Sequence, residues 1–346
     1  FWIGKTHLEA GETLSATHAL SQAVAVDPWT FYGLQAKDAL TGDSDFKPND
    51  TPVTPCGTAE ARAEVDAWLR TWIEIPEGES PSGLPPSLAG DPRLLRGKRL
   101  LELGHFNAGR RELENLRVST NEDPLTQYRL ALAFRDIGLY RSSIIAAAAV
   151  WRQSPAESIA DIPQFLGCLI YPTYYDKLVE ETAASQDIAS LFVYALLRQE
   201  SLFEGVATST AAARGLMQVI PATGAQIAAN LGWPPDYQTR DLYRPMVSVR
   251  FGVWYLTTQR DALDNLFAAM AAYNGGPGNA VRWWEMAGGD EDLFAELIDF
   301  RETRLYVRLI REHYAKYEWL YGGNGPPSTE PTVTPTPTED SGNSQN

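Results

Sequence analysis

Cysteine, histidine and methionine are scarce in this 346-residue chain, which carries two, four and four of them. Cys56 and Cys168 are too few for a disulfide framework or a cysteine-rich zinc site, and sequence alone leaves open whether they pair with each other. His7, His18, His105 and His313 are scattered, and no His-Glu-x-x-His zinc motif occurs. A serine-hydrolase elbow is also missing. Gly90 to Lys98 only mimics a phosphate loop, because six residues separate its glycines and Arg99 stands where Ser or Thr is required. No metal and no cofactor is expected. No apolar run approaches the roughly 18 residues of a membrane span. Basic residues are in deficit, 29 Lys and Arg against 44 Asp and Glu, a net charge of −15 that argues against nucleic-acid binding.

Hydrophobic residues make up 44% and charged residues 21%, enough for a full core and not the profile of a disordered chain. The length favours two domains, or one domain plus a helical array. The first forty residues read as a helical hairpin, with apolar positions through Ile3, Leu8 and Ala10 to Gly11 and again from Leu14 to Val26 before Asp27-Pro28. The theme returns around Gly104 and around Gly138. These glycines are 34 residues apart, the period of tetratricopeptide-type hairpins, although the other consensus positions match poorly. Residues 41–58 and 76–92 read as loops, with a helix from Ala59 to Trp72 between them. The expected organisation is a helical-hairpin scaffold over 1–155, a linker over 156–173, a second helical domain over 174–322 and a Pro-, Thr- and Ser-rich disordered tail over 323–346. The fold class is mostly α.

One carboxylate stands out in the second half. Ile188 to Glu204 reads as a single helix ended by Gly205, with Ala189, Val193, Leu196 and Leu197 on the face that carries Glu200. An apolar stripe faces a core or a cleft, and the carbonyl end of a helix disfavours negative charge. Both effects push the Glu200 pKa upward, toward that of a general acid at neutral pH. On the helix alone, an ion pair with an arginine or a place at the edge of the stripe explains it as well.

Four segments change that weighting. Ala195-Leu196-Leu197-Arg198-Gln199-Glu200-Ser201-Leu202-Phe203 is followed by Gly215-Leu216-Met217-Gln218-Val219-Ile220-Pro221. Then come Ala271-Ala272-Tyr273-Asn274-Gly275-Gly276-Pro277-Gly278 and Phe300-Arg301-Glu302-Thr303-Arg304-Leu305-Tyr306-Val307. In this order and spacing they resemble the soluble lytic transglycosylases, enzymes with a goose-lysozyme-like domain that cut peptidoglycan. The match covers roughly Tyr174 to Tyr321, and the hairpins before it look like the superhelical scaffold of the larger family members. Leu305 departs from the family's usual glycine, and Gly275 from its usual alanine, a change that looks neutral.

The resemblance implies a lyase that cleaves the β-1,4 bond between N-acetylmuramic acid and N-acetylglucosamine, with Glu200 as acid and then base, leaving a 1,6-anhydro product. A single carboxylate then suffices, whereas other glycosidases need two; Asp187, Glu204 and Asp241 are only nominal second candidates. It also implies substrate-binding positions at Ser201, Met217, Gln218, Tyr273, Asn274, Glu302 and Tyr306. Four of these have a plainer reading: Ser201 as a helix cap, Met217 as core filling, Asn274 as a brace for its own loop and Glu302 as the partner of Arg301, Arg304 or Arg308. Trp233, Trp254, Trp283 and Trp284 are either sugar platforms or core, and none is singled out. The alternatives are a muramidase, in which water replaces the C6 hydroxyl, and a non-catalytic peptidoglycan-binding scaffold. The implied partners are peptidoglycan strands and, through the helical array, other cell-wall enzymes. The implied role is cell-wall turnover outside the cytoplasm of a bacterium, in the periplasm or envelope; any signal or anchor would precede Phe1.

Overall fold

The structure, a computed structural model, describes residues 1–42, 53 and 56–322. The expected tail over 323–346 and most of the loop over 41–58 lie outside the described residues. Contacts divide the chain into two compact units, whose described parts fall within residues 1–46 and 47–324. Among the described residues there are helices and isolated bridges but no strand.

The first unit holds three helices rather than a two-helix hairpin: α1 (Trp2–Glu9), α2 (Thr13–Val26) and α3 (Phe31–Thr41). The third begins because Asp27 accepts from the Trp29 amide and the Thr30 hydroxyl accepts from the Gly33 amide, a side-chain N-cap just after the proline. Leu20, Val24 and Ala36 form its core.

The second unit opens with α4 (Ala59–Leu69), started by a Thr58 cap, and the short α5 (Pro86–Ala89). It continues with two hairpins, α6 (Pro92–Glu102) with α7 (Phe106–Ser119), and α8 (Pro124–Asp136) with α9 (Tyr140–Gln153). Leu94, Leu113, Leu116, Leu130 and Phe134 are their shared core. The proline-rich stretch before α5 is pinned by Arg129, buried on α8, which donates to the carbonyls of Ser80 and Pro81 and pairs with Glu79.

Residues 156–173 are no bare linker. Phe165 to Ile170 is apolar on every side and so must be buried; it forms α10 (Gln164–Ile170), packed on α9 and α4. Cys168 on α10 is disulfide-bonded to Cys56, and the pair closes a separation of 112 residues. Next come α11 (Asp176–Ser185), α12 (Ser190–Ser201), α13 (Pro221–Leu231), α14 (Pro245–Leu263) and α15 (Leu266–Gly275). The series ends with α16 (Pro277–Ala287), α17 (Glu291–Leu297) and α18 (Arg301–Tyr321).

The helix expected over 188–204 is α12, which stops at Ser201 because Leu202 and Phe203 both take left-handed backbone, with φ of 51° and 62°. The apolar run over 261–273, continuous in its helical spacing, is split between two helices: Asp264 turns left-handed and Asn265 caps the start of α15 by accepting from the Ala268 amide. Residues 190–197 of α12 are all buried, which makes it the central helix, flanked by α11 and α18. Glu204, just beyond it, is buried and paired with Arg110 of α7 at 2.5 Å and Arg141 of α9 at 3.6 Å.

The disulfide yields a direct prediction. The native chain shows no thiol reactive toward an aromatic disulfide reagent until it is reduced, and reduction lowers the thermal midpoint. In a loop-closure treatment, a link of this span contributes about 3–5 kcal/mol. Two reactive thiols in the unreduced protein would contradict the pairing.

Candidate active site

Glu200 stands on the last turn of α12, half-buried, where the helix leaves the core. Loss of hydration raises its pKa to about 8, and the negative charge of exposed Glu302 acts in the same direction. The opposing influence is one hydrogen bond, donated by the Tyr306 hydroxyl of α18 to Glu200 Oε1 at 2.5 Å. Tyr306 is itself buried, and burial together with the neighbouring carboxyl holds its phenol well above the ordinary range, so it donates throughout the working pH range. Oε1 is therefore occupied, while Oε2 has no hydrogen-bond partner among the described residues. The carboxyl is thus protonated near neutral pH, with one oxygen left for an incoming group.

The segment from Leu202 to Val219 forms one wall. Gly215 has φ +77°, and a Cβ there would come within 1.9 Å of the Leu242 carbonyl oxygen, so glycine is required. Ser201 neither caps the helix nor opens to the cleft; its hydroxyl is buried and donates to the Leu216 carbonyl at 2.8 Å. The amide of Gln218, a residue with left-handed backbone, donates to the Gly215 carbonyl at 2.8 Å. Its NH2 group thus braces the loop, and its Oε1 remains as an acceptor. Met217 is fully buried against Gly252 of α14, so its side chain fills core. The backbone of Met217 makes the useful contacts: its amide donates to the Ser248 hydroxyl at 3.1 Å and its carbonyl accepts from the Tyr273 hydroxyl at 2.6 Å.

Tyr273, near the end of α15, packs against the Tyr255 ring at 5.5 Å, and burial with the nearby Glu200 charge raises its pKa. Exposed Asn274 accepts at Oδ1 from the Thr303 hydroxyl at 2.7 Å, which leaves its NH2 group to solvent. Gly275 is not a neutral position here: an added Cβ would lie 2.9 Å from Thr303 Oγ1 and 3.2 Å from Trp283. Exposed Glu302 makes no ion pair among the described residues, since Arg308 pairs with Glu296; it acts on Glu200 through charge alone. Exposed Leu305 packs nothing away.

Two hydrogen-bonded pairs therefore meet here, Tyr306 with Glu200 and Tyr273 with Met217, and the charge of Glu200 acts on Tyr273, with Gln218 and Ser201 bracing the wall and Asn274 exposed beside it. Sequence reasoning missed Ser248, Tyr255 and Thr303. Thr303 lies inside the last of the four motifs, whereas Ser248 and Tyr255 sit on α14, where no motif marks them. Of the tryptophans, Trp283 is core, donating to Asp299, and Trp284 packs edge-on against Phe294. No group of three or more His, Cys, Asp or Glu among the described residues is arranged to hold a metal ion.

Since the Tyr306 bond favours the charged carboxyl, Tyr306→Phe should move the Glu200 titration above its value of about 8. The check is the labelled carboxyl-carbon NMR signal that Glu200→Gln removes. A titration that stays put or moves down contradicts this account of the bond.

Residues 177–293 match the family model described as the transglycosylase SLT domain. The soluble lytic murein transglycosylase of Escherichia coli K12 is 25% identical over 256 residues, 72% of this chain and 37% of that protein. A putative soluble lytic murein transglycosylase of Haemophilus influenzae is 32% identical over 158 residues, 45% of this chain and 26% of that protein. The chain thus spans well under half the length of these curated relatives. Among solved structures, the 70 kDa soluble lytic transglycosylase of Escherichia coli superposes with a TM-score of 0.68 at 22% identity, covering 95% of this chain and 46% of that one. The lytic transglycosylase of Pseudomonas aeruginosa, solved as an inactive glutamate-to-glutamine mutant, gives a TM-score of 0.62 at 22% identity, covering 89% of this chain and 43% of that one. The described helices thus share the lysozyme-like fold of those structures. The chain contains a transglycosylase SLT domain and is homologous to the soluble lytic murein transglycosylases.

Proposed function

We propose that this protein is a peptidoglycan lytic transglycosylase that cleaves the β-1,4 bond from N-acetylmuramic acid to N-acetylglucosamine and leaves a 1,6-anhydromuramyl end. The observation that carries the reading is a single half-buried carboxyl, protonated up to about pH 8, held by one tyrosine and with one oxygen free. Protonated Glu200 donates to the glycosidic oxygen as that bond breaks. The resulting carboxylate then takes the proton of the muramyl C6 hydroxyl, whose oxygen closes onto the anomeric carbon. The substrate's 2-acetamido group shields the positive centre between the two steps. Tyr306 orients the carboxyl and steadies its charged form, Tyr273 holds the wall through Met217, and Gln218 Oε1 and the Asn274 amide are the polar groups facing the sugars.

None of the three nominal second carboxylates suits the two-carboxylate route, and Glu302, whose charge acts on Glu200, is the one other carboxylate near it among the described residues. Glu204 is committed to Arg110 and Arg141, Asp241 accepts from the Gln238 amide in a turn, and Asp187 is exposed at the start of the segment leading into α12. A Glu200 that acts twice needs no second carboxylate, which is the route taken here in preference to a base-activated water. The helical hairpins before residue 155 would be a scaffold for the glycan strand or a partner enzyme, and the site over 174–322 the catalytic domain. The Cys56–Cys168 bond supports work outside the cytoplasm, in the bacterial envelope.

The test is digestion of purified peptidoglycan with mass analysis of the released fragments. Fragments one water lighter than lysozyme products support the lyase. Hydrated fragments with reducing ends would make the protein a muramidase, and no release from folded protein would make it a binding scaffold. Glu200→Gln should lower the rate by about 10²–10⁴-fold while glycan binding persists. Because the acid must carry its proton, the native rate should fall as pH rises through about 8. A fall centred near the ordinary carboxyl value of 4.5 would contradict the role.

The same shift predicts a stability effect. Between about pH 4.5 and 8 the folded state holds a proton that the unfolded chain has released, so this group's contribution to stability declines as pH rises across that window. Glu200→Gln lacks the effect. Its melting temperature relative to the native protein should therefore climb from pH 4.5 to 8, and a constant difference would contradict the shifted carboxyl.

A further inference from the structure

The face of α14 opposite the catalytic wall lines a second cleft. Ser248, Gly252 and Tyr255 face Met217 and Tyr273, while Arg250 and Trp254 project to the other side of the helix. There they meet Leu231 at the end of α13 with Trp233 just beyond it, and Glu181 on α11 with Gln186 just after it, around a cavity of about 380 Å³. The Arg250 guanidinium lies 5.2 Å from the centre of the Trp233 ring, whose other contact is edge-on to Phe251 at 6.1 Å. A cation over an indole face is attracted there by the ring and, in the exposed Arg250, keeps its N–H groups for other partners.

Those N–H groups are unused. Arg250 makes no ion pair or hydrogen bond among the described residues, although the chain has an excess of 15 negative charges and Glu181 lines the same cleft. Gln186 Oε1 accepts from the Thr257 hydroxyl at 3.1 Å, which leaves the Gln186 NH2 group as a second donor. The Trp254 ring is half-buried and, among the described residues, no other ring stacks on it, so it forms an apolar wall beside these donors. A planar cation with its fork free, a second donor, an indole face and one carboxylate make a mixed site suited to a zwitterion. A neutral sugar would leave the guanidinium without its matching acceptor.

We propose that this cleft is a second binding site, separate from the catalytic one, for a short peptide ending in a carboxylate. Arg250 takes the carboxylate through its two-pronged edge, Trp254 covers the aliphatic part, and Glu181 faces a side-chain amine. On the functional reading above, the source of such a group is the peptide stem of peptidoglycan, whose free end carries a carboxylate and whose diamino acid carries an amine. Binding there would keep the chain on peptide-bearing wall while the catalytic cleft works on the glycan.

The test is calorimetric titration of the full chain with a free tetrapeptide stem, L-alanyl-γ-D-glutamyl-diaminopimelyl-D-alanine. Saturable binding is expected, weakened at least tenfold by Arg250→Ala, partly restored by Arg250→Lys, and weakened to a similar degree when the peptide's terminal carboxylate is amidated. Glu200→Gln should bind the peptide as the native chain does, and Arg250→Ala should cut peptide-free glycan at the native rate. Absence of binding overturns the proposal. So does binding that ignores Arg250→Ala or amidation, or that disappears with Glu200→Gln, which would place the peptide in the catalytic cleft. Peptide binding is read without any cleavage, so failure of this site and failure of the lyase reading are separate results.

Discussion

The hydrogen bond from the Tyr306 hydroxyl to the Glu200 carboxyl joins the last long helix to the central one, at the point where the central helix leaves the core. Everything near it serves to keep that carboxyl poorly hydrated yet oriented. Helix α12 is buried on all sides from Ser190 to Leu197, so it sits between other helices, and its final turn, from Arg198 to Glu200, reaches the surface. A carboxyl in that position keeps its proton to about pH 8 because losing hydration costs the charged form more than one phenol returns. The proton is thus available near neutrality, and the same phenol is ready to steady the anion once the proton has left.

The backbone after Glu200 cannot relax away from this arrangement. Two successive left-handed residues, Leu202 and Phe203, end the helix abruptly, a conformation that non-glycine side chains adopt only when their surroundings impose it. Two sets of contacts impose it. On one side Ser201 ties the helix end to the Leu216 carbonyl, while the Met217 carbonyl is held by Tyr273. On the other, buried Glu204 is gripped by Arg110 and Arg141, which come from the two hairpins that precede α10. The hairpins therefore do more than extend the protein: they fix the end of the helix that carries the acid. A buried carboxylate with two arginines contributes more to fixing this geometry than to overall stability, since its desolvation offsets much of the attraction.

The sequence made some of this legible and hid the rest for identifiable reasons. Apolar periodicity and glycine-proline punctuation were enough for a mostly helical chain, and the placement of Glu200 on an apolar stripe carried the upward pKa shift. The four motifs marked Glu200, Tyr273 and Tyr306 as candidate parts of one site. Helix ends were less legible, because the stop at Ser201 comes from tertiary contacts on the following loop and not from the glycine four residues later. The break at Asp264 was hidden inside a run that looks continuous by periodicity, although Asn265 is a plain cap. Residues 156–173 were mistaken for a connector because their prolines outweighed the short apolar run that forms α10. Met217 and Ser201 illustrate a different limit: both sit in a motif, yet burial turns one into core and the other into a tie. Ser248 and the arginines that hold Glu204 act across long sequence separations, which no local pattern reveals.

The central claim is that one carboxyl is neutral at working pH and can therefore give a proton before taking one. Difference infrared spectroscopy of the native protein against Glu200→Gln reads that state directly. The account predicts a protonated-carboxyl C=O band, present at about pH 6, missing from the Glu200→Gln protein and lost as pH rises through about 8. A native spectrum with only carboxylate bands at about pH 6 would contradict it, because an ionised Glu200 has no proton to give.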